Sequence, residues 1–151
     1  MISIFNKVIR RSRSFFWRKK LRVSRLVVDY RAQIYGDGKL SVGEGCVLNN
    51  NCIIQLHPNC QLTLGSNVII SYGAMVLTSG LVISNKQVSR KHIESQITIG
   101  DNVWIGAGSI ILPGVTIPPG CVISAGTVVT KRLEHSNSMY AGVPAKFIKA
   151  L

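Results

Sequence analysis

Apolar and polar positions recur along most of this chain with a period of six, which is neither the 3.6 of a helix nor the 2 of a long strand. From Ile99 the sequence divides into IGDNVW, IGAGSI, ILPGVT, IPPGCV and ISAGTV, followed by Val129. Each unit opens on an aliphatic residue (Ile99, Ile105, Ile111, Ile117, Ile123), and its fifth place is small or β-branched: Val103, Ser109, Val115, Cys121, Thr127. The same phase runs earlier through Leu64, Ile70 and Val76, and before that through Val42, Leu48 and Ile54. Similar tetrapeptides open the blocks at Leu40–Gly43, Leu62–Gly65 and Ile97–Gly100. An aliphatic residue every six positions, with turn formers between, predicts short strands joined by tight turns. Stacking them sends one aliphatic side chain inward per face and coil, which makes a β-solenoid.

The repeat occupies a domain over 31–151, preceded by a basic amphipathic segment over 1–30. Two interruptions stand out. Gln55–Gln61 shift the register by four beside His57-Pro58, and residues 79–96 leave the repeat as an excursion loop carrying Lys86, Arg90, Lys91 and His92. A polar excursion from a rigid scaffold is a usual place for function. The repeat ends after Arg132, and residues 139–151 are expected to cap the last coil with a strand and a short helix.

Composition narrows the class. Of 151 residues only 16% are charged, against a usual value of about 25%, and 14 are glycine, which excludes disorder and a helical bundle. No apolar run reaches the ~18 residues of a membrane span. The net charge of +12 is unevenly placed: nine of the 18 Lys and Arg lie in Met1–Arg25, where Asp and Glu are absent. Cys46, Cys52, Cys60 and Cys121 lack C-x-x-C spacing, and three of them fall in the small-residue slot, so they read as core filler. Charges interrupt the first 25 residues throughout and leave no signal-peptide apolar stretch, so a cytoplasmic setting is expected.

These units, above all NVWIGAGSIILPGVTI at 102–117 and AGVPAK at 141–146, resemble the hexapeptide-repeat acyltransferases, with sugar and glycan O-acetyltransferases the nearest group. The resemblance covers about 38–151. It implies an all-β fold, a left-handed parallel β-helix of about four to five coils, assembled as a homotrimer. It also implies transfer of an acyl group, expected to be acetyl, from acetyl-CoA to a hydroxyl of a sugar or glycan, as in polysaccharide biosynthesis. In that family a histidine is the general base and opens the excursion loop. Here the matching place, in Thr78-Ser79-Gly80-Leu81, holds Leu81.

His92 is the candidate replacement for the base, with a loop-anchoring hydrogen bond as its alternative role. His57 reads as a turn residue and His135 as an exposed loop residue. Asn51 and Asn59 match acceptor-binding positions of the resembled enzymes, although Asn51 also suits a solenoid corner. Ala107 and Ala125, 18 residues apart, match the small residues that leave room for the pantetheine arm. Thr130, Lys131, Lys146 and Lys149 match positions at the nucleotide end, where lysines meet phosphates. No metal site is expected, because His57, His92 and His135 contain no His-x4-His pair of the kind used by hexapeptide-repeat carbonic anhydrases.

Two readings of function stay open: an acyltransferase with a relocated base, and a non-catalytic scaffold that still binds coenzyme A. In Met1–Val28, Ile2, Phe5, Ile9, Phe16 and Val23 fall near one helical face among many cations. That pattern fits either a segment lying on an anionic membrane, with the protein peripheral at its inner face, or a helix packed on the first coil. No nucleic-acid-binding signature accompanies the charge.

Overall fold

A computed structural model describes residues 2–84 and 87–151, with the side chains of residues 4–83 and 91–151. Helix α1 (Ile2–Leu21) precedes the solenoid. The first coil is β1 (Leu26–Val28), β2 (Gln33–Tyr35) and β3 (Lys39–Val42). The second is β4 (Cys46–Leu48), β5 (Ile53–Gln55) and β6 (Gln61–Leu64). The third is β7 (Ile69–Ile70) and β8 (Met75–Leu77), then the hairpin β9 (Ser79–Ser84) and β10 (Gln87–Glu94), then β11 (Ile97–Ile99). The fourth is β12 (Trp104–Ile105), β13 (Ile110–Ile111) and β14 (Thr116–Ile117). A partial fifth coil has β15 (Val122–Ile123) and β16 (Val128–Val129), before β17 (Ser138–Ala141) and β18 (Lys146–Ala150) close the chain.

Strands pair in parallel with their counterparts one coil away, giving three faces: β1-β4-β7-β12-β15-β17, β2-β5-β8-β13-β16 and β3-β6-β11-β14. The six-residue period is the reason. On the third face Val42, Leu64, Ile99 and Ile117 stand in register. The first face stacks Leu48, Ile70, Ile105 and Ile123, and the second Ile54, Val76, Ile111 and Val129. All twelve openings named from the sequence lie in the buried core. The glycine closing each block tetrapeptide has a steric cause: coils approach there backbone to backbone, and a Cβ on Gly65 would come within 2.6 Å of the Asp101 backbone nitrogen.

The two ends are closed differently. At the first coil, α1 seats Trp17 and Leu21 against the core near Ile34 and Leu40. The buried Ser14 hydroxyl accepts the Val28 N–H at 2.9 Å, Arg13 donates to the Ala32 carbonyl at 2.6 Å, and Arg10 pairs with Asp29 at 2.8 Å. The helix packs on the first coil, one of the two alternatives read from the sequence, through a side that leaves part of the apolar stripe uncovered. Phe5 and Phe16 point outward, Val23 packs on the core beyond the helix end, and the Ile2 side chain lies outside the described residues. Polar groups of α1 satisfy the end-coil N–H and C=O groups that lack a strand above them.

The other end also corrects an expectation. In place of a strand and a short helix, β18 runs antiparallel to β17. The reason is the exposed edge of the last coil, which a strand satisfies with ladder hydrogen bonds and a helix does not. Lys146 and Lys149 on β18 blunt the new edge against further pairing.

Glu44 joins α1 to the solenoid. Its carboxylate accepts the Ser24 and Arg25 N–H groups at 2.7 Å each and the Ser24 hydroxyl at 3.0 Å. The backbone donors of Ser24, then Arg25, hold its carboxyl below the ordinary value of 4.5. A lowered folded-state value means the contribution is present above the unfolded value and lost as pH falls through the folded one. Glu44→Gln is therefore expected to be less stable than wild type at pH 7, with the difference shrinking as pH drops below about 4.5; paired thermal melts from pH 7 to 3 check this.

Candidate functional site

The corner between the second and third faces carries both interruptions of the repeat, one coil apart. On the second coil the widened turn Leu56–Cys60 closes with the Cys60 N–H donating to the His57 carbonyl at 2.8 Å. On the third coil β9 and β10 leave as an antiparallel hairpin in place of a featureless loop. Thr78, fully buried at the hairpin root, ties the two together: its hydroxyl accepts the His57 N–H at 2.8 Å and donates to the Gln55 carbonyl at 3.1 Å. Beside it Gln55 donates to the Ser79 hydroxyl at 2.7 Å.

Strand alternation puts His92 and Glu94 on one side of β10. His92 is the direct cross-strand partner of Leu81, and Glu94 that of Ser79. Glu94 bridges to the second coil: one carboxylate oxygen lies 3.4 Å from His57 Nε2, and the other accepts from the Asn59 amide at 3.1 Å. The two imidazoles meet with ring centroids 5.8 Å apart. His57 is three-quarters covered, and its Nδ1 is buried without a hydrogen-bond partner; His92 is exposed. The result is a carboxylate holding one imidazole by its side, with a second imidazole and an amide around it, open to solvent. Such a set can accept a proton from a substrate hydroxyl and carry the resulting positive charge next to Glu94.

His57 thus keeps the expected turn role through its backbone and gains a side-chain role. Glu94 was missed, although the His92-x-Glu94 spacing on a strand is the signal that finds it. Lys86 and the Arg90 side chain lie outside the described residues.

The remaining predicted residues sit elsewhere. Asn51 occupies the corner between the first and second faces at φ 61°, the slot held one coil on by Gly73 at φ 66°. Ala107 and Ala125 stack at that same corner, where the Gly126 N–H donates to the Ala107 carbonyl at 2.8 Å, and both are exposed. Beside them Gly108 and Gly126 have open space where a Cβ would stand. Thr130 and Lys131 follow β16 below the hairpin corner, and Lys146 and Lys149 lie on β18; all four are exposed. Within one chain the histidine cluster and the alanine column occupy opposite edges of the second face. His135 is exposed, as expected, with its ring edge-on to Phe147 at 5.3 Å.

The cysteines are buried and free. Burial pushes the thiols of Cys46 and Cys121 up, and that of Cys52 to about 12. The thiolate is the reactive form, so these groups supply no nucleophile.

Comparisons with known proteins bear on the fold. Residues 96–131 match the family model described as the hexapeptide repeat of succinyl-transferase. No curated protein sequence matches the chain significantly. Among solved structures, the hexapeptide-repeat-containing acetyltransferase VCA0836 from Vibrio cholerae O1 biovar eltor, complexed with acetyl coenzyme A, aligns at TM-score 0.81 and 21% identity. That alignment covers 97% of this chain and 80% of the other. The N-acyltransferase AntD from Bacillus cereus, with dTDP and 3-hydroxybutyryl-CoA, aligns at 0.62 and 23% identity over 91% and 87%. The polySia-specific acetyltransferase NeuO aligns at 0.65 and 25% over 79% and 61%.

In the folded protein at pH 8, the four thiols are expected to resist an aromatic disulfide reagent over the minutes in which free cysteine reacts, and all four to react in denaturant. Fast labelling of any of them in the native state would overturn the core-filler assignment. The repeat, the three parallel faces and these alignments together identify the fold as the left-handed parallel β-helix of the hexapeptide-repeat acetyltransferases.

Proposed function

We propose that this protein transfers an acyl group, acetyl first among them, from coenzyme A to a hydroxyl of a sugar or glycan, with His92 as general base. One observation carries the reading: His92 stands directly across the hairpin from Leu81, the position where the resembled enzymes keep their histidine. Cross-strand neighbours hold their Cβ atoms about 5 Å apart, so the imidazole moves by one strand and stays at the same corner. A ring nitrogen of His92 takes the hydroxyl proton as the oxygen attacks the thioester carbonyl, and gives it to the coenzyme A sulfur as the C–S bond breaks and the ester forms. Glu94, fixed between His57 and Asn59, places negative charge beside the imidazolium that forms. Asn59, and Gln55 with its hydrogen bond to Ser79, present amide groups around the acceptor.

Coenzyme A supplies the activated thioester. The column of Ala107 and Ala125, with open space beside Gly108 and Gly126, fits the slender pantetheine arm, and Thr130, Lys131, Lys146 and Lys149 fit its phosphates. Support for the donor comes from VCA0836 with acetyl coenzyme A and from AntD with 3-hydroxybutyryl-CoA. Support for the acceptor class comes from AntD with dTDP-4-amino-4,6-dideoxyglucose and from NeuO, specific for polySia.

The site is completed by neighbouring copies in a homotrimer. Beyond the first coil, the outward residues of the first face (Val47, Ile69, Trp104, Val122) and one outward column of the second (Ile53, Met75, Ile110, Val128) are apolar, whereas the third face shows Lys39, Ser41, Thr63 and Thr98. Two apolar faces meeting at one edge suit a closed ring of copies, in which each hairpin stands at the outer rim of a face shared with the next copy. Val122→Glu, a charge on the apolar first face, is expected to reduce the mass in solution from three chains to one and to abolish coenzyme binding, as read by sedimentation and calorimetry.

A second reading has its own observation. Leu81 is half exposed and apolar where the resembled enzymes have their base, which suits a scaffold that binds coenzyme without turning it over. Calorimetry with acetyl-CoA, then thiol release with a panel of sugar acceptors, separates the two. Acyl transfer predicts coenzyme binding and turnover that His92→Ala lowers by about 10²–10⁴-fold with coenzyme affinity unchanged. Turnover within threefold of wild type in that variant removes His92 from the role and passes it to His57. Absence of binding at millimolar coenzyme leaves the scaffold alone.

A further inference from the structure

Helix α1 has two faces with different fates. Successive residues turn by about 100°, which puts Arg10, Arg13, Ser14, Trp17 and Leu21 on one side, and that side is the one docked on the first coil. Ile4, Phe5, Val8, Phe15 and Phe16 fall on the opposite side, and each is more than half exposed, from 56% for Val8 to 69% for Ile4. A soluble body places cations on such a face and few large apolar side chains. Here the cations flank it instead. Lys7, Arg10, Arg11 and Arg18 line a groove of about 370 Å³ between α1 and β1, over Leu26 and Val27. Among the described residues, Arg10 with Asp29 is the one ion pair that α1 makes.

We propose that α1 is a docking surface for an anionic membrane: the outward aromatic and aliphatic side chains enter the headgroup–acyl boundary and lipid phosphates occupy the cationic groove. The chemistry favours this occupant over others. An outward helix face carrying Ile4, Phe5, Val8, Phe15 and Phe16, rimmed by cations, is the pattern of an interfacial helix. A second copy presenting the same face would bring equal basic charge against it, and the remainder of the chain, Leu26–Leu151, carries nine basic and six acidic side chains and offers no anionic counter-surface. A nucleic acid would use the cations and leave Ile4, Val8 and Phe15 in water.

Position agrees as well. The helix closes one pole of the solenoid, so its free face is the outermost surface at that end. In the trimer proposed above, copies related by a threefold axis along the solenoids present their poles on one side, and three weak contacts add by multivalency. The docking itself does not rest on the acyl-transfer reading, and its test uses no activity.

The test is co-sedimentation of the full chain with vesicles of phosphatidylcholine alone and with about a third phosphatidylglycerol. Binding at least tenfold tighter to the anionic vesicles, weakened several-fold by half-molar salt, is expected. Phe5→Ser with Phe15→Ser, both outward and about two-thirds exposed, should weaken vesicle binding at least fivefold with an unchanged melting temperature. Lys7→Ala with Arg11→Ala should weaken it on anionic vesicles only. Four outcomes overturn the proposal: absence of binding at millimolar lipid, wild-type binding by the Phe variant, preference for a nucleic acid over anionic vesicles, or a Phe variant that changes oligomeric mass and leaves lipid binding intact.

Discussion

Everything in this molecule depends on stacking aliphatic side chains in register, one per strand, down the inside of three faces. A strand of two residues such as β12 or β13 has no stability of its own. It exists because Ile105 or Ile111 sits between the same kind of side chain one coil above and one below, each burial contributing roughly 1.5–3 kcal/mol. Stability in such an array is a sum over neighbours, which leaves two vulnerable places, the end coils. Both ends are closed by elements outside the repeat, α1 at the first coil and β18 at the last. The faces cannot vary without losing register, so variation is confined to corners and poles.

That confinement explains where the histidine cluster lies. The widened turn around His57 and the hairpin carrying His92 are separated by some thirty-five residues in sequence, yet both are insertions at one corner on adjacent coils. Lengthening a turn costs only the logarithm of its length in closure entropy, so a solenoid accepts an insertion at a corner while its ladder continues. Stacking then does what a longer loop cannot: the second coil delivers His57 and Asn59 to the third coil's Glu94, and buried Thr78 fixes the approach. Two breaks in a repeat form one side-chain cluster when they share a corner on adjacent coils.

The period was readable because it is enforced by burial, and each of its twelve aliphatic openings is in the core. The shared corner is legible in the register too, since both interruptions follow a second-face opening, Ile54 and Val76, and precede a block tetrapeptide; the side-chain contacts across it are not, because spacing fixes the corner and leaves the direction of each inserted side chain open. Glu94 escaped notice for a related reason: within a segment taken as a loop, its two-residue spacing from His92 has no directional meaning, whereas on β10 it puts both on one side. The cap at 139–151 misled because a short Lys-containing segment after Pro144 suits a helix by local propensity, and the edge of β17 outweighed that preference. For α1 the amphipathic reading was right in kind. The pattern leaves open which side of the helix packs, and the end coil selects the face whose Arg and Ser groups satisfy Val28 and Ala32.

The pole and the corner are joined by a length. Neighbouring coils are about 4.8 Å apart, and the hairpin leaves from the third coil, so the histidine cluster stands two spacings, about 10 Å, above the first coil. Helix α1 lies beneath that coil and adds a further diameter of about 10 Å. With lipid phosphates in the groove between α1 and β1, about half that diameter below the first coil, a solenoid docked through α1 holds His92 roughly 15 Å above them. That height is beyond a headgroup and within the reach of a few sugar units. An acceptor anchored in the same membrane would bring its distal sugars, rather than its anchor, to the imidazole. The rigidity that comes from the aliphatic ladders sets this distance, because a stack in register neither bends nor shortens to meet a substrate nearer the surface.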